Sequence, residues 1–296
     1  MTMRRTCRLA AHVWDARRYV ECKALFQGQF ATEMVQRHVV DALRESTALL
    51  DLGCGDGSHT SWMADLMPTE NAVILGLDPS EDMIAVATAN QQTGGRKRFQ
   101  TGDIADPSVS AALAGCFDLV TSFHAIHWIP EARLPDTLAG VRRVLRPTGK
   151  LFAFFHGERS MDVLFKACES TVRDSPWTEA YFPRGSRVTP GHFRPITRLS
   201  LDRWVSLLED ADFTVNEQTV VVSDMVSTYD DEVGLTQRLE AAWGPMFPTL
   251  PIDQRQPFFR EVARRAILDV GSPTKIINRI LELRAVPPAP SGTGNR

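Results

Sequence analysis

The sequence predicts an α/β domain built on one doubly wound, mostly parallel sheet. Three observations point there. Between residues 48 and 156 short apolar runs alternate with stretches of helical period, the pattern of parallel strands joined by crossover helices. The first run ends in a glycine-rich turn, Gly53-Cys54-Gly55-Asp56-Gly57. Acids stand at the ends of three successive strands, as Asp51, Asp78 and Asp103.

Ala48-Leu49-Leu50-Asp51-Leu52 is apolar enough for a strand buried on both faces. The second strand runs from Ala72 to Leu77 and ends at Asp78. Ser80 caps the next helix, with Glu81 and Asp82 near the positive end of its dipole. Met83 to Ala89 continue that helix, and Gly94-Gly95 closes the segment. Arg98 to Thr101 form a third strand that stops at Gly102-Asp103. The fourth, Phe117 to Phe123, leads through His127-Trp128 into a helix with Leu134, Leu138, Val141 and Leu145 at helical spacing. Pro147-Thr148-Gly149 then turns the chain into a fifth strand, Leu151 to Phe155.

Past His156, Met161 to Val172 read as helix and Ser200 opens a capped helix through Leu208. Thr219 to Val222 and Ile277 to Val286 supply two late strands, completing a seven-stranded sheet with helices on both faces. Residues 1–47 are expected to form N-terminal cap helices and 48–156 the ligand-binding core. Residues 157–286 are expected to form a helical lid plus the last strands, with 157–199 and 224–274 over the top edge of the sheet. The Pro- and Gly-rich stretch 287–296 reads as a flexible tail.

Composition narrows the class. Hydrophobic and charged fractions of 43% and 23% are ordinary for a globular protein, and 296 residues can bury a sizeable core. A net charge of −3 argues against nucleic acid as the main partner, because backbone binding needs clustered Lys and Arg. Arg4, Arg5, Arg8, Arg17 and Arg18 make one basic stretch, but Asp15 and Glu21 interrupt it and no apolar run follows, so no signal peptide is expected. No apolar run approaches the ~18–20 residues that span a bilayer, so no membrane partner is expected either. Cys7, Cys22, Cys54, Cys116 and Cys168 are scattered, without a C-x-x-C pair. That spacing suits a reducing, cytoplasmic setting rather than disulfides or zinc. His124 and His127 lie three apart but lack a companion pair of ligands, so no metal is expected.

In open parallel sheets the ligand lies at the carboxyl ends of the strands. A dinucleotide fingerprint would read G-x-G-x-x-G, yet the third place counted from Gly53 is Ser58. The pattern present is D-x-G-x-G-x-G, with Asp51 inside the strand end. A carboxylate there suits a cation better than a pyrophosphate, and S-adenosylmethionine offers an ammonium and a sulfonium. Asp78, one strand on, can accept hydrogen bonds from both ribose hydroxyls. Asp103 can meet the adenine amino group.

These residues resemble motifs I to IV of the class I, Rossmann-like methyltransferases, over about residues 48–156. The resemblance implies S-adenosyl-L-methionine as cofactor, held by Asp51, Gly53, Cys54, Gly55, Asp78, Pro79, Met83, Asp103, Ile104 and Phe123. The block Ser122-Phe123-His124-Ala125-Ile126-His127-Trp128 is similar to the S-F-x-x-L-H-W pattern of juvenile hormone acid methyltransferases. Trans-aconitate and malonyl-acyl-carrier methyltransferases, which carry Gln-Trp at that place, are similar too. All of these act on carboxylates. The resemblance implies that His127, Trp128 and, in an N-terminal cap helix, Gln27 orient the acceptor. Two features depart from the pattern: Pro147-Thr148-Gly149 replaces Pro-Gly-Gly, and 157–199 does not align.

The expected acceptor is therefore a small carboxylic acid, methylated by direct in-line transfer. A carboxylate with a pKa near ~4 is already ionised at pH 7, so alignment and exclusion of water do the work. A carbon, nitrogen or hydroxyl acceptor is the alternative on the same fold. A nicotinamide-dependent oxidoreductase or a non-catalytic cofactor-binding module is more distant. In the candidate lid, Arg159, Arg184, Arg187, His192, Arg194 and Arg198 could clamp an acidic substrate. The aromatic residues Phe154, Phe155, Trp177, Tyr181, Phe182 and Phe193 suggest an apolar or ring-bearing acceptor.

Overall fold

The structure, a computed structural model, describes residues 28–68, 71–90, 96–174, 196–216, 219–244, 247, 250–271 and 274–288. Seven strands form one sheet: β1 (Ala48–Leu52), β2 (Val73–Asp78), β3 (Lys97–Thr101), β4 (Phe117–Phe123), β5 (Leu145–His156), β6 (Val220–Tyr229) and β7 (Thr274–Ala285). Their order is β3-β2-β1-β4-β5-β7-β6. The first five strands pair in parallel, and β7 inserts antiparallel between β5 and β6. Strand order reverses between β1 and β4, which creates the crevice where such sheets bind ligands.

Alternating side chains along the central strands feed two cores, one on each face. Leu50, Leu75, Val120 and Phe155 pack on α6 (Leu134–Val144) and α8 (Leu201–Asp210). Leu134, Leu138 and Val141 are fully buried there, the apolar stripe expected of a helix lying on a sheet. Leu49, Ile74, Leu119 and Phe154 face the other way, against α1 (Gly28–His38), α2 (Val40–Glu45) and α3 (Ser58–Leu66). The helices α4 (Glu81–Asn90) and α5 (Pro107–Ala112) complete the crossovers around β3. A third core joins α7 (Asp162–Asp174), α9 (Glu232–Trp243) and α10 (Ile252–Val270) through Phe165, Leu239, Trp243, Phe258 and Phe259.

Several boundaries differ from the sequence reading. The second strand is shifted by one residue, to Val73–Asp78, and β5 opens at Leu145, so Leu145 ends α6 instead of extending it. Pro147-Thr148-Gly149 lies within β5, where the register with β4 shifts between Phe117 and Leu119. The sixth strand does not stop at Val222 but runs to Tyr229, so 224–229 belongs to the sheet rather than to segments above it. It is an edge strand with one neighbour, and its outward face tolerates Asp224 and Thr228 without apolar partners. His127 and Trp128 form a single 3₁₀ turn, Ile126–Trp128, ahead of α6. Ser80 does accept from the Met83 N–H, and Ser200 from that of Arg203, as their positions implied.

Candidate functional site

The turn after β1 takes its shape from three glycines in the left-handed region, with φ of +73° at Gly53, +55° at Gly55 and +74° at Gly57. L-residues pay for that conformation, and space is short as well. A Cβ on Gly53 would sit 2.3 Å from the Ala125 Cβ, and one on Gly57 would sit 2.6 Å from the Phe99 ring. At Gly55 a Cβ would meet nothing within 4 Å, because that glycine faces a cavity.

The cavity, of about 140 Å³, opens where the carboxyl ends of β1, β2 and β4 meet. Gly53 and Gly55 line it from the turn, and Asp78, Pro79 and Met83 from the end of β2 and the start of α4. Asp103 and Ile104 follow β3, and Phe123 closes β4. Asp78 is buried, and each of its oxygens takes one backbone donor: Oδ1 accepts from Ser80 N–H at 2.9 Å and Oδ2 from Gly55 N–H at 3.0 Å. Burial pushes its carboxyl above the usual range, and those two donors pull it partly back. Asp103 accepts from the Ala105 N–H and pairs with Arg133 at 2.8 Å, which also lines the cavity and carried no motif signal.

Two of the expected cofactor residues stand behind the wall. Asp51 is buried, and its carboxylate accepts from the hydroxyls of Thr60 and Thr121. It shares a strand face with Leu49, toward α3, so alternation aims it away from the cavity. Cys54 is buried beside Gly76, its thiol pushed up by burial and by the charges of Asp51, Asp78 and Asp56. It is therefore a protonated core residue, and the three carboxylates around it make the turn electronegative.

A second cavity, of about 60 Å³, adjoins the first, and His124 and Trp128 line both. His124 holds φ at +54°, uncommon for a residue with a side chain, and donates its backbone N–H to Phe154 O at 2.7 Å. His127 and His156 meet it there, with ring centroids 5.1 to 6.4 Å apart among the three. Burial holds His127 and His156 well below the ordinary histidine range, and their histidine neighbours add to the effect. Both are neutral at pH 7. Nδ1 of His156 meets Ser160 Oγ at 3.0 Å, while Nδ1 of His127 has no hydrogen-bond partner among the described residues. Among those residues no set of three His, Cys, Asp or Glu has metal-holding spacing.

Other site expectations change. Gln27, Arg184, Arg187, His192, Arg194 and the aromatics Trp177, Tyr181, Phe182 and Phe193 lie outside the described residues. Arg159 is exposed and pairs with Asp162; Arg198 binds Asp162 and Ser160 O and covers the Phe165 ring. Phe154 and Phe155 are fully buried within the sheet cores, so they do not shape an acceptor site. His156, Arg238 and Asn278 were missed. His156 could have been found, because it ends β5 as Asp78 ends β2. Arg238 and Asn278 reach the cavity from α9 and β7, with no local signal.

Comparison with known proteins follows the geometry. Residues 49–149 match the family model described as a methyltransferase domain. Trans-aconitate 2-methyltransferase of Deinococcus radiodurans is 40% identical over 108 residues, which is 36% of this chain and 37% of the relative. Juvenile hormone acid O-methyltransferase of Drosophila melanogaster is 26% identical over 214 residues, 71% of this chain and 68% of the relative. The chain thus matches little more than a third of the first relative's length and about two thirds of the second's. Among solved structures, a Haemonchus contortus phosphoethanolamine N-methyltransferase 2 in complex with S-adenosylhomocysteine superposes with a TM-score of 0.56 at 14% identity. That alignment covers 93% of this chain and 58% of that one, and it shows the shared class I methyltransferase fold. No helix among the described residues is long and apolar enough to cross a membrane.

Proposed function

We propose, from a chain whose residues 49–149 are a methyltransferase domain, that the protein transfers the methyl group of S-adenosylmethionine to the carboxylate of a small-molecule acid. The observation that carries this reading is the meeting of two cavities at His124 and Trp128. One has walls that suit a nucleoside, and the other sets polar groups such as Arg238 and His127 among apolar ones, which suits an acceptor. The relatives' names add support, since trans-aconitate and juvenile hormone acid are both carboxylic acids.

The residues present fit the cofactor. Gly55 leaves open the space that any Cβ would enter, at a φ that disfavours other residues. Each Asp78 oxygen keeps lone-pair capacity beyond its one backbone donor, enough to accept a pair of ribose hydroxyls. Met83, Ile104 and Phe123 supply apolar walls for a base. The carboxylates of Asp51, Asp56 and Asp78 bias the turn toward a cation, Asp51 acting through its field rather than by contact.

When bound, S-adenosylmethionine supplies a methyl group on positively charged sulfur. The chain's own residues do the rest. Asp78 fixes the nucleoside through a carboxylate that Gly55 and Ser80 hold still. Phe123 and Trp128 shield the junction from water. His127, neutral and with a ring nitrogen lacking a partner, orients an acceptor oxygen. A histidine held well below its usual pKa is a weak base, which suits an acceptor that is already ionised. This favours a carboxylate over a phenol or an amine. Incubation with methyl-labelled S-adenosylmethionine and a panel of small carboxylic acids, phenols and amines tests the reading. Label should enter the acids; label confined to phenols or amines would overturn it.

A further inference from the structure

The smaller cavity has mixed walls, with polar groups set among apolar residues such as Met161, Ile196, Met225 and Trp243. The polar groups come from His124, His127 and His156 together with Ser227 of β6, Arg238 of α9 and Asn278 of β7. Arg238 is half-buried, its guanidinium 5.4 Å from the centre of the Tyr229 ring and hydrogen-bonded to that residue. Burial lowers its pKa, yet a guanidinium stays charged in proteins. The buried histidines cannot replace that charge, because His127 and His156 are neutral. Nδ1 of His127, buried in the same walls, has no partner among the described residues. Buried polar atoms are normally satisfied, so the site is built for a group that brings hydrogen bonds.

We propose that this cavity is an anion subsite that holds a second carboxylate of the acceptor, and that Arg238 selects dicarboxylic over monocarboxylic acids. The inference rests on the carboxylate reading above. It assigns Arg238 to the anchoring carboxylate rather than the reacting one on two grounds. Arg238 and Asn278 line only the smaller cavity, whereas the two cavities meet at His124 and Trp128. A carboxylate gripped by a guanidinium has its lone pairs committed to N–H donors, which suits an anchor and blunts a nucleophile. The volume of about 60 Å³ sets the size. A cavity of that order holds a few waters, hence a carboxylate on a short carbon stem and not a long alkyl chain.

The test is calorimetric titration of the full chain, saturated with S-adenosylhomocysteine, with succinate, glutarate and adipate. Butyrate, pentanoate and hexanoate serve as partners of equal length. At least one diacid should bind tenfold or more tighter than its partner. Arg238→Gln should bring that ratio close to one while still binding S-adenosylhomocysteine, and Arg238→Lys should fall between. Equal binding of diacid and monoacid to the unmodified protein would overturn the proposal, as would an undiminished ratio in Arg238→Gln. If Arg238→Gln fails to fold, the unmodified comparison and Arg238→Lys carry the same decision. Methyl transfer to the same acids separates this proposal from the reading beneath it. Diacids that bind through Arg238 but form no methyl ester uphold the subsite and sink the carboxylate chemistry. Esters formed from monoacids alone do the reverse.

Discussion

Gly55 donates its backbone N–H to Oδ2 of Asp78 across 3.0 Å, tying the turn after β1 to the end of β2. The bond fixes the carboxylate that the proposed ribose hydroxyls would meet. Asp78→Ala should therefore weaken S-adenosylhomocysteine binding by ~1–3 kcal/mol, the range typical of stranding buried polar partners. Titration calorimetry on a variant of unchanged circular dichroism measures it, and undiminished affinity would remove Asp78 from the site. Gly55→Val should bind more weakly still, since a β-branched residue at φ +55° strains the turn and enters the cavity.

Gly140 of α6 lets the helix lie directly on the segment that carries Ile104. A Cβ there would stand 2.1 Å from the Ile104 carbonyl oxygen, which is backbone and cannot swing aside. Gly140→Ala should cost about 1–3 kcal/mol in urea unfolding, the usual range for overpacking. Gly115→Ala is the comparison, since it has φ of +63° but nothing within 4 Å of its Cβ. It should cost about 1–2 kcal/mol from backbone strain alone. Ligand binding should suffer in Gly140→Ala, where Ile104 must shift, and be spared in Gly115→Ala.

The buried histidines make stability depend on acidity. His127 and His156 have folded pKa values well below the ordinary histidine range, so the unfolded chain takes up their protons first. Their contribution is flat above about pH 7. It turns against folding as pH drops below ~6.5, by at most ~1.4 kcal/mol per pH unit for each, down to the folded pKa. Urea midpoints from pH 7.5 to 5.5 should fall, and less steeply in His127→Asn or His156→Asn. Identical slopes in all three proteins would mean that neither histidine is buried neutral.

The sequence reading reached the sheet and most of the named residues that line the larger cavity, because both rest on local pattern. Central strands such as β1 are buried on both faces, so they appear as short runs dominated by Ala, Val, Ile and Leu, broken only by Asp51 in β1 and Gly76 in β2. The edge strand β6 escaped after Val222, since Ser223 and Asp224 need no apolar partner there. Asp51 does not line the cavity. A strand-end acid beside a glycine turn suggests contact, but alternation sends it to Thr60 and Thr121. The acceptor side was less legible. Arg238 and Asn278 join His124 only through the antiparallel return of β6 and β7 and the helix between them, which no short motif records.

His127 should orient rather than take a proton. His127→Ala should keep measurable turnover on a carboxylic acid, and the unmodified enzyme should show no basic limb that disappears in the variant. A rate that falls to background in a folded, cofactor-binding His127→Ala protein, beside a limb in the unmodified enzyme below the ordinary histidine range, would identify a general base. That outcome would move the acceptor to a hydroxyl or an acidic carbon, where a base is worth ~10²–10⁴-fold.

The central claim is an ester. Protein, methyl-labelled S-adenosylmethionine and a small carboxylic acid are incubated at pH 7, and the isolated product is treated briefly with mild alkali. A methyl ester releases its label as volatile methanol, whereas a methyl ether, a methylamine or a carbon-bound methyl keeps it. The account predicts that the label becomes volatile, and that Asp78→Ala reduces the amount formed. Label that stays with the product after alkali would contradict methylation of a carboxylate.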